Sequence, residues 1–302
     1  MYLFSLRAAG AAAVATALLI VPANGQSRNH NIHVDFNDQT ASCGDLHARS
    51  EGALAQAVDR FTVVGSWIQI DGGSHGAIRV TAADRADYSV EACRIAVADD
   101  QGSAQLLVDQ TFVTQGGGRI ETHGPASSDN QGQWQVYLLV QAPRNGNVDV
   151  NTVNGPLSVR GVNGTVKAKA VNGPVSIADC AGAVDAQTTN GPVSFSGQGG
   201  DVKLAAVNGP MNLKLLGDIW NGPRLEASTT NGPVHLSAPD SFRSGVLLES
   251  NSGAPFVCKL DMCRYAVTDA ASEHRTLQMN GAAGSVHVSA GNGPVSVSGL
   301  TR

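Results

Sequence analysis

From Gly146 to Gly217, apolar and polar residues alternate in short runs that restart at a fixed interval. Written from a leading glycine, the units are GNVDVNTVNGPLSVRGVN, GTVKAKAVNGPVSIADCA, GAVDAQTTNGPVSFSGQG and GDVKLAAVNGPMNLKLLG, eighteen residues each. Alternation holds on both sides of an Asn-Gly-Pro triplet: Val148 and Val150 then Leu157 and Val159, Val166 and Ala168 then Val175 and Ile177, Val184 and Ala186 then Val193 and Phe195. A period of two sends successive side chains to opposite faces of an extended chain, so each unit predicts two short strands with one buried face. The triplet supplies the corner between them. Gly reaches backbone angles closed to other residues, Asn tolerates the left-handed region, and Pro fixes its own φ while opening the second strand, where a missing donor does least harm.

The constant register predicts that units stack. We read an all-β, single-chain β-solenoid of about eighteen-residue coils with mainly parallel strands, because repeated units that cannot bury a core alone do so against their neighbours. Antiparallel hairpins are the rival, since Asn-Gly is a strong hairpin signal; Pro directly after Gly and the unbroken register fit a stacked coil better. In such a stack Asn154, Asn172, Asn190, Asn208, Asn231 and Asn292 would lie above one another and exchange amide hydrogen bonds. After Gly200 the spacing loosens. Five extra residues around Asp218–Gly222 precede LEASTTNGPVHL, RSGVLLESNSGAPFV is a degraded copy around Asn251, and a clean copy, GSVHVSAGNGPVSV, begins at Gly284.

Residues 26–132 are less regular and are read as a β-rich N-terminal cap feeding a repeat region over 133–302. IQI (Ile68–Ile70), AIRV (Ala77–Val80) and QLLV (Gln105–Val108) read as strands, and WQVYLLVQAP leads into the first clean coil. The alanines and charges of SEGALAQAVDRF predict a short helix over Ser50–Phe61.

The start of the chain changes the setting. Arg7, an apolar run from Ala8 to Val21 and small residues at Ala23 and Gly25 have the order of a secretory signal, read over residues 1–25. The run is shorter than the roughly twenty residues a membrane span needs, so the mature chain is expected to be exported, periplasmic or at the cell surface, without a transmembrane segment. Export permits disulfides. Of the cysteines, proximity pairs Cys43 with Cys93 and Cys258 with Cys263 and leaves Cys180 free, although any four cysteines allow three connectivities. CKLDMC lacks the second ligand pair of a zinc site. A net charge of −5 without a Lys/Arg cluster argues against a nucleic-acid partner.

The leader, LVQAPRNGNVDVNTVNGPLSVRG and the recurring NGPVSV phrases resemble the bacterial "putative adhesin" family, over roughly residues 130 to 300. The resemblance implies a β-solenoid in exported or envelope-associated proteins and brings no catalytic residues. The residues agree: no nucleophile elbow, phosphate loop or dinucleotide fingerprint is present, and no cofactor is expected. His30, His33 and Asp35 form a conceivable metal group but read better as a polar tail. Asp149, Lys167, Asp185 and Lys203 recur at one slot and read as ion pairs between coils. The expected function is therefore a non-catalytic envelope binding or scaffold protein, its partner an envelope glycan, an envelope protein or another copy. The polar row Ser158, Ser176, Ser194, Asn212 and His235 is the candidate face. The alternative is a carbohydrate-active β-helix enzyme using acids such as Asp99, Asp100 and Asp109.

Overall fold

The computed structural model describes residues 30–37, 40–126, 132–254, 256–271, 274–281 and 284–300. The leader expected over residues 1–25 lies outside them. The chain is all-β, and among the described residues most strands belong to one 12-stranded and one 11-stranded sheet.

The N-terminal part begins with a small antiparallel pair, β1 (His33–Val34) and β2 (Ala48–Arg49). It continues through β3 (Ala53–Val63), β4 (Trp67–Asp71), β5 (Gly76–Ala83), β6 (Tyr88–Ala98), helix α1 (Gln101–Gln110), β7 (Phe112–Gly116), β8 (Arg119–His123) and β9 (Gln133–Pro143). Strands β3, β6, β9 and β5 share the 11-stranded sheet, and β7, β8 and β4 share the other. The helix expected over Ser50–Phe61 is instead mostly β3. Helix-forming residues yield here because Ala55 and Val63 turn into the core while Gln56, Val58, Arg60 and Thr62 turn out, and the strand zips along β6. A long non-local ladder overrides local preference. The opposite correction applies to Gln105–Val108, which lie in α1 and not in a strand. The Asp100 carboxylate accepts from the Ser103 N–H at 2.9 Å, and Ala104, Leu107 and Val108 are buried at helical spacing. Because α1 joins β6 of one sheet to the end strand of the other, it covers this end of the shared core.

The repeats follow as β10 (Asn147–Asn154), β11 (Leu157–Arg160), β12 (Val166–Asn172), β13 (Val175–Ala178), β14 (Ala183–Asn190), β15 (Val193–Gly197), β16 (Gly199–Asn208), β17 (Met211–Leu215), β18 (Asn221–Asn231) and β19 (Val234–Ala238). First strands of successive units pair in parallel, Val148 with Val166, Val166 with Val184 and Val184 with Val202. Second strands do likewise, Leu157 with Val175, Val175 with Val193 and Val193 with Met211. Parallel pairing also reaches back into the N-terminal part, where β4 adjoins β10 and β5 adjoins β11.

The corners show why Asn-Gly-Pro recurs. Each Gly N–H donates to the Asn carbonyl of the next unit, as Gly173 does to Asn190 at 2.9 Å, and each Pro carbonyl accepts from the residue after the preceding Pro, as Pro174 does from Leu157. Hydrogen bonding between units thus continues through the bend. The side-chain amides run parallel to it: Nδ2 of Asn172, Asn190, Asn208, Asn231 and Asn292 each donates to Oδ1 of the Asn below, at 2.8 to 2.9 Å. Asn154 ends the row on the Ser74 carbonyl. Asn190→Ala removes two of these bonds, so urea unfolding should show a loss greater than the roughly 1 kcal/mol of one ordinary hydrogen bond. Inward threonines are satisfied at the same corners, Thr188 and Thr229 donating to the carbonyls of Gly173 and Gly209.

The final segment departs from chain order. It contains β20 (Val246–Ser250), β21 (Phe256–Cys258), β22 (Val267–Ala271), β23 (His274–Met279), β24 (Val286–Asn292) and β25 (Val295–Gly299). The last repeat, β24 and β25, lies directly on β18 and β19, while β20 and β21 lie on its far side. The intervening chain therefore closes the stack: β23 and β22 add antiparallel to β20, and Phe242, Leu260, Met262, Leu277 and Met279 fill the end of the core. Cys258 and Cys263 are bridged within this closure, Cys43 and Cys93 are bridged in the N-terminal part, and Cys180 is a buried free thiol.

Candidate binding face

The second strand of each unit sends alternate residues outward. Parallel register places them in one row: Arg79, Ser158, Ser176, Ser194, Asn212, His235 and Ser296. Neighbours in the row are one strand spacing apart, about 4.8 Å. The five predicted residues are thus consecutive rungs, Ser158 to Asn212 half-buried and His235 exposed. At the far end His235 Nδ1 and Ser296 Oγ are 2.5 Å apart. An adjacent outward row carries Arg160, Ala178, Ser196 and Lys214. Because Ala178 and Ser196 are small, the surface dips there into an open depression of 470 Å³ lined by Ser176, Ser194, Asn212, Arg160 and Lys214 among others. Its floor offers hydroxyls and an amide, which can both donate and accept.

The row does not begin at Ser158, and sequence reasoning missed why. The segment carrying β1 and β2 lies over β5, β9 and β6, packing Ile32, Val34, Phe36 and Leu46 against Ala77, Ile95, Tyr137 and Leu139. The guanidinium of Arg79 donates to the Asn37 and Thr40 carbonyls and lies 4.5 Å from the Phe36 ring centre. Burial under this segment pushes Tyr137 up to about 12. A signal was present: AIRV alternates Arg79 onto the same face as Ser158, and an arginine there needs partners. The exposed row therefore starts where the N-terminal segment stops.

The other candidates separate. His30 is buried against Asp99 at 3.0 Å, whereas His33 faces Asp35 at 3.7 Å, so His30, His33 and Asp35 do not converge as a ligand set. Cys43, Glu91 and Cys93 are within metal-binding reach of one another, but the sulfurs are bonded together and the Glu91 carboxylate accepts from the Cys43 N–H and from Arg60. Burial pushes the Cys180 thiol up, which keeps it protonated and unreactive. Asp99 pairs with His30, Asp100 caps α1, and Asp109 accepts from Gln105. Asp100 and Asp109 stand nine helical residues apart, about 13 Å along the axis, beyond the 5 to about 9.5 Å that separates paired glycosidase carboxylates. The row Asp149, Lys167, Asp185 and Lys203 is in register, yet among the described residues none of the four joins an ion pair. Lys167 and Lys203 are exposed, where pairing gains little, while Asp149 and Asp185 are half-buried and the Asp185 carboxylate accepts from the Gln187 side chain at 2.7 Å.

Among the described residues, no helix is long and apolar enough to cross a membrane. No family model matches the chain, and no curated protein matches it. Solved structures similar to it include a putative adhesin from Bacteroides fragilis (12% identity, 82% of this chain and 97% of that one, TM-score 0.38). Others are a putative adhesin from Parabacteroides distasonis (11%, 82% and 98%, TM-score 0.34) and a putative cell adhesion protein from Clostridium sporogenes (11%, 82% and 100%, TM-score 0.29).

Proposed function

We propose that this chain is an exported, non-catalytic β-solenoid whose Ser158, Ser176, Ser194, Asn212 and His235 face binds an envelope glycan or protein. The solenoid reading is supported by parallel pairing in both sheets, at a constant eighteen-residue offset from β10 to β17. The observation that carries the function is the row itself, in which donor and acceptor groups repeat at one spacing along a rigid ladder. A polymer with its own short repeat meets such a row at several rungs at once, and weak contacts made together multiply into avidity.

The test is a glycan-array and envelope-extract binding screen of the mature chain beside Ser176→Gln/Ser194→Gln. These substitutions fill the depression without adding charge and leave the inward faces untouched. Binding by the parent and its loss in the variant, with an unchanged far-ultraviolet spectrum, is the expected outcome. Equal binding by both proteins would dismiss the face.

A further inference from the structure

Strand β3 ends the 11-stranded sheet and pairs on one side only, with β6, along its eleven residues. Its spare backbone groups follow from register. Val97 lies opposite Leu54, and its carbonyl faces Gly132 on the β9 side, where an added Cβ would come within 2.1 Å. Val97 is therefore bonded toward β9, and Leu54 turns its own N–H and C=O away from β6, since opposite residues in an antiparallel pair exchange both bonds or neither. The same parity turns the backbone groups of Gln56, Val58, Arg60 and Thr62 outward. Among the described residues, the Gln101 side chain meets the Leu54 carbonyl at 3.1 Å, and no backbone hydrogen bond reaches the other four from outside.

Free edges are guarded by Pro, Lys, a bulge, great shortness, an inward charge or a covering helix. Here ALAQAVDRFTV has neither Pro nor Lys and its register with β6 is unbroken; α1 touches the edge backbone through Gln101 at Leu54, and the inward Asp59 is neutralised by Arg94. Its two charges are engaged within their own sheet, Asp59 with Arg94 at 2.8 Å and Arg60 with Glu91 at 2.5 Å. Val58, at mid-strand, is 41% exposed.

We infer that β3 is a self-association edge, through which two copies of this chain join antiparallel about a two-fold axis at Val58. An axis perpendicular to the sheet keeps the core side continuous in both copies and sets one residue opposite its own copy, and only Val58, the midpoint of Ala53–Val63, pairs the whole strand. Centred on Val58, the outward-bonding residues meet as Val58 with Val58, Gln56 with Arg60 and Leu54 with Thr62, and no like charges face each other. Centring on Asp59 opposes two carboxylates, and centring on Arg60 opposes two guanidinium groups, both unfavourable across a strand pair. Self-complementarity of this kind is what a two-fold interface requires, and it makes a second copy the occupant.

Sedimentation equilibrium of the mature chain should show a concentration-dependent dimer. Val58→Pro deletes an N–H that β6 does not use, a position where edge strands tolerate Pro. It should keep the parent melting profile while weakening the dimer by about tenfold or more, as two symmetry-related bonds go. Charge provides a second measurement on an exposed side chain: Gln56→Lys should weaken the dimer by opposing Arg60 of the other copy, and Gln56→Glu should strengthen it. Val267→Lys, on the end strand β22 of the other sheet, should have no effect. A monomer at every concentration overturns the inference. So does a dimer indifferent to both position 58 and position 56, or one lost in Val267→Lys.

Discussion

Gly191→Ala should cost about 4 kcal/mol of stability, with early proteolytic cleavage between the second and third repeats. Gly191 has φ +154°, where an L side chain is strained, and a Cβ there would stand 2.3 Å from the Gly173 carbonyl oxygen and 2.7 Å from its carbon. Neither side can yield cheaply. Gly173 is held by its bond to Asn190 and Gly191 by its bond to Asn208, both 2.9 Å, so relief means parting two units along the whole ladder. Backbone strain and an overfilled contact each cost about 1 to 3 kcal/mol, which sets the magnitude. Since each unit touches only its neighbours, the damage should split the stack at that level. Urea titration measures the loss. Gly116→Ala is the control, because nothing lies within 4 Å of its added carbon, and it should stay within about 0.5 kcal/mol of the parent. Equal midpoints for the two variants would refute this account of the corner.

Phe195→Ala should follow at about 3 to 5 kcal/mol, the usual range for deleting a buried aromatic ring. Phe195 is 1% exposed and lies in register between Ile177 and Leu213, with the Trp220 ring centre 6.0 Å away. The ring also occupies the space beside Gly197, where an added Cβ would meet it at 2.8 Å. Backbone ladders on both sides fix the walls, so the vacated volume cannot collapse. Phe195→Leu, which retains most of the volume, should cost only about 1 kcal/mol. Thermal or urea unfolding followed by circular dichroism distinguishes the two. A similar loss in both would mean that the ring's shape, and not its volume, matters at this level.

The repeat region was legible because, in a parallel stack, the sequence period and the strand register are the same number. Val166 is opposite Val148 for the same reason that it follows it by eighteen residues. The candidate face was legible from the same alternation, since Ser158, Ser176 and Ser194 sit between inward residues. The N-terminal part was not. Ala53–Val63 and Gln101–Gln110 carry similar Ala, Gln and aliphatic residues, yet one is strand and the other helix. What separates them is the long ladder available to the first and the Asp100 cap and end-covering position of the second, and only the cap is local. The charge row was half legible: its register follows from the period, but ion contact depends on side-chain conformations that periodicity does not constrain.

Alternation and corner chemistry, both local, determined by themselves which side chains turn inward and where the chain bends, because Gly, Pro and Asn restrict the backbone wherever they occur. The order of neighbours was decided by the tertiary structure. Hydrogen bonds between strands are blind to sequence, and near-identical repeats offer near-identical faces, so nothing within Gly284–Gly299 states that it must rest on β18 and β19 ahead of the chain that precedes it. That placement goes with the residues of the closure, whose Phe242, Leu260, Met262 and Leu277 fill the end of the core beyond the last repeat.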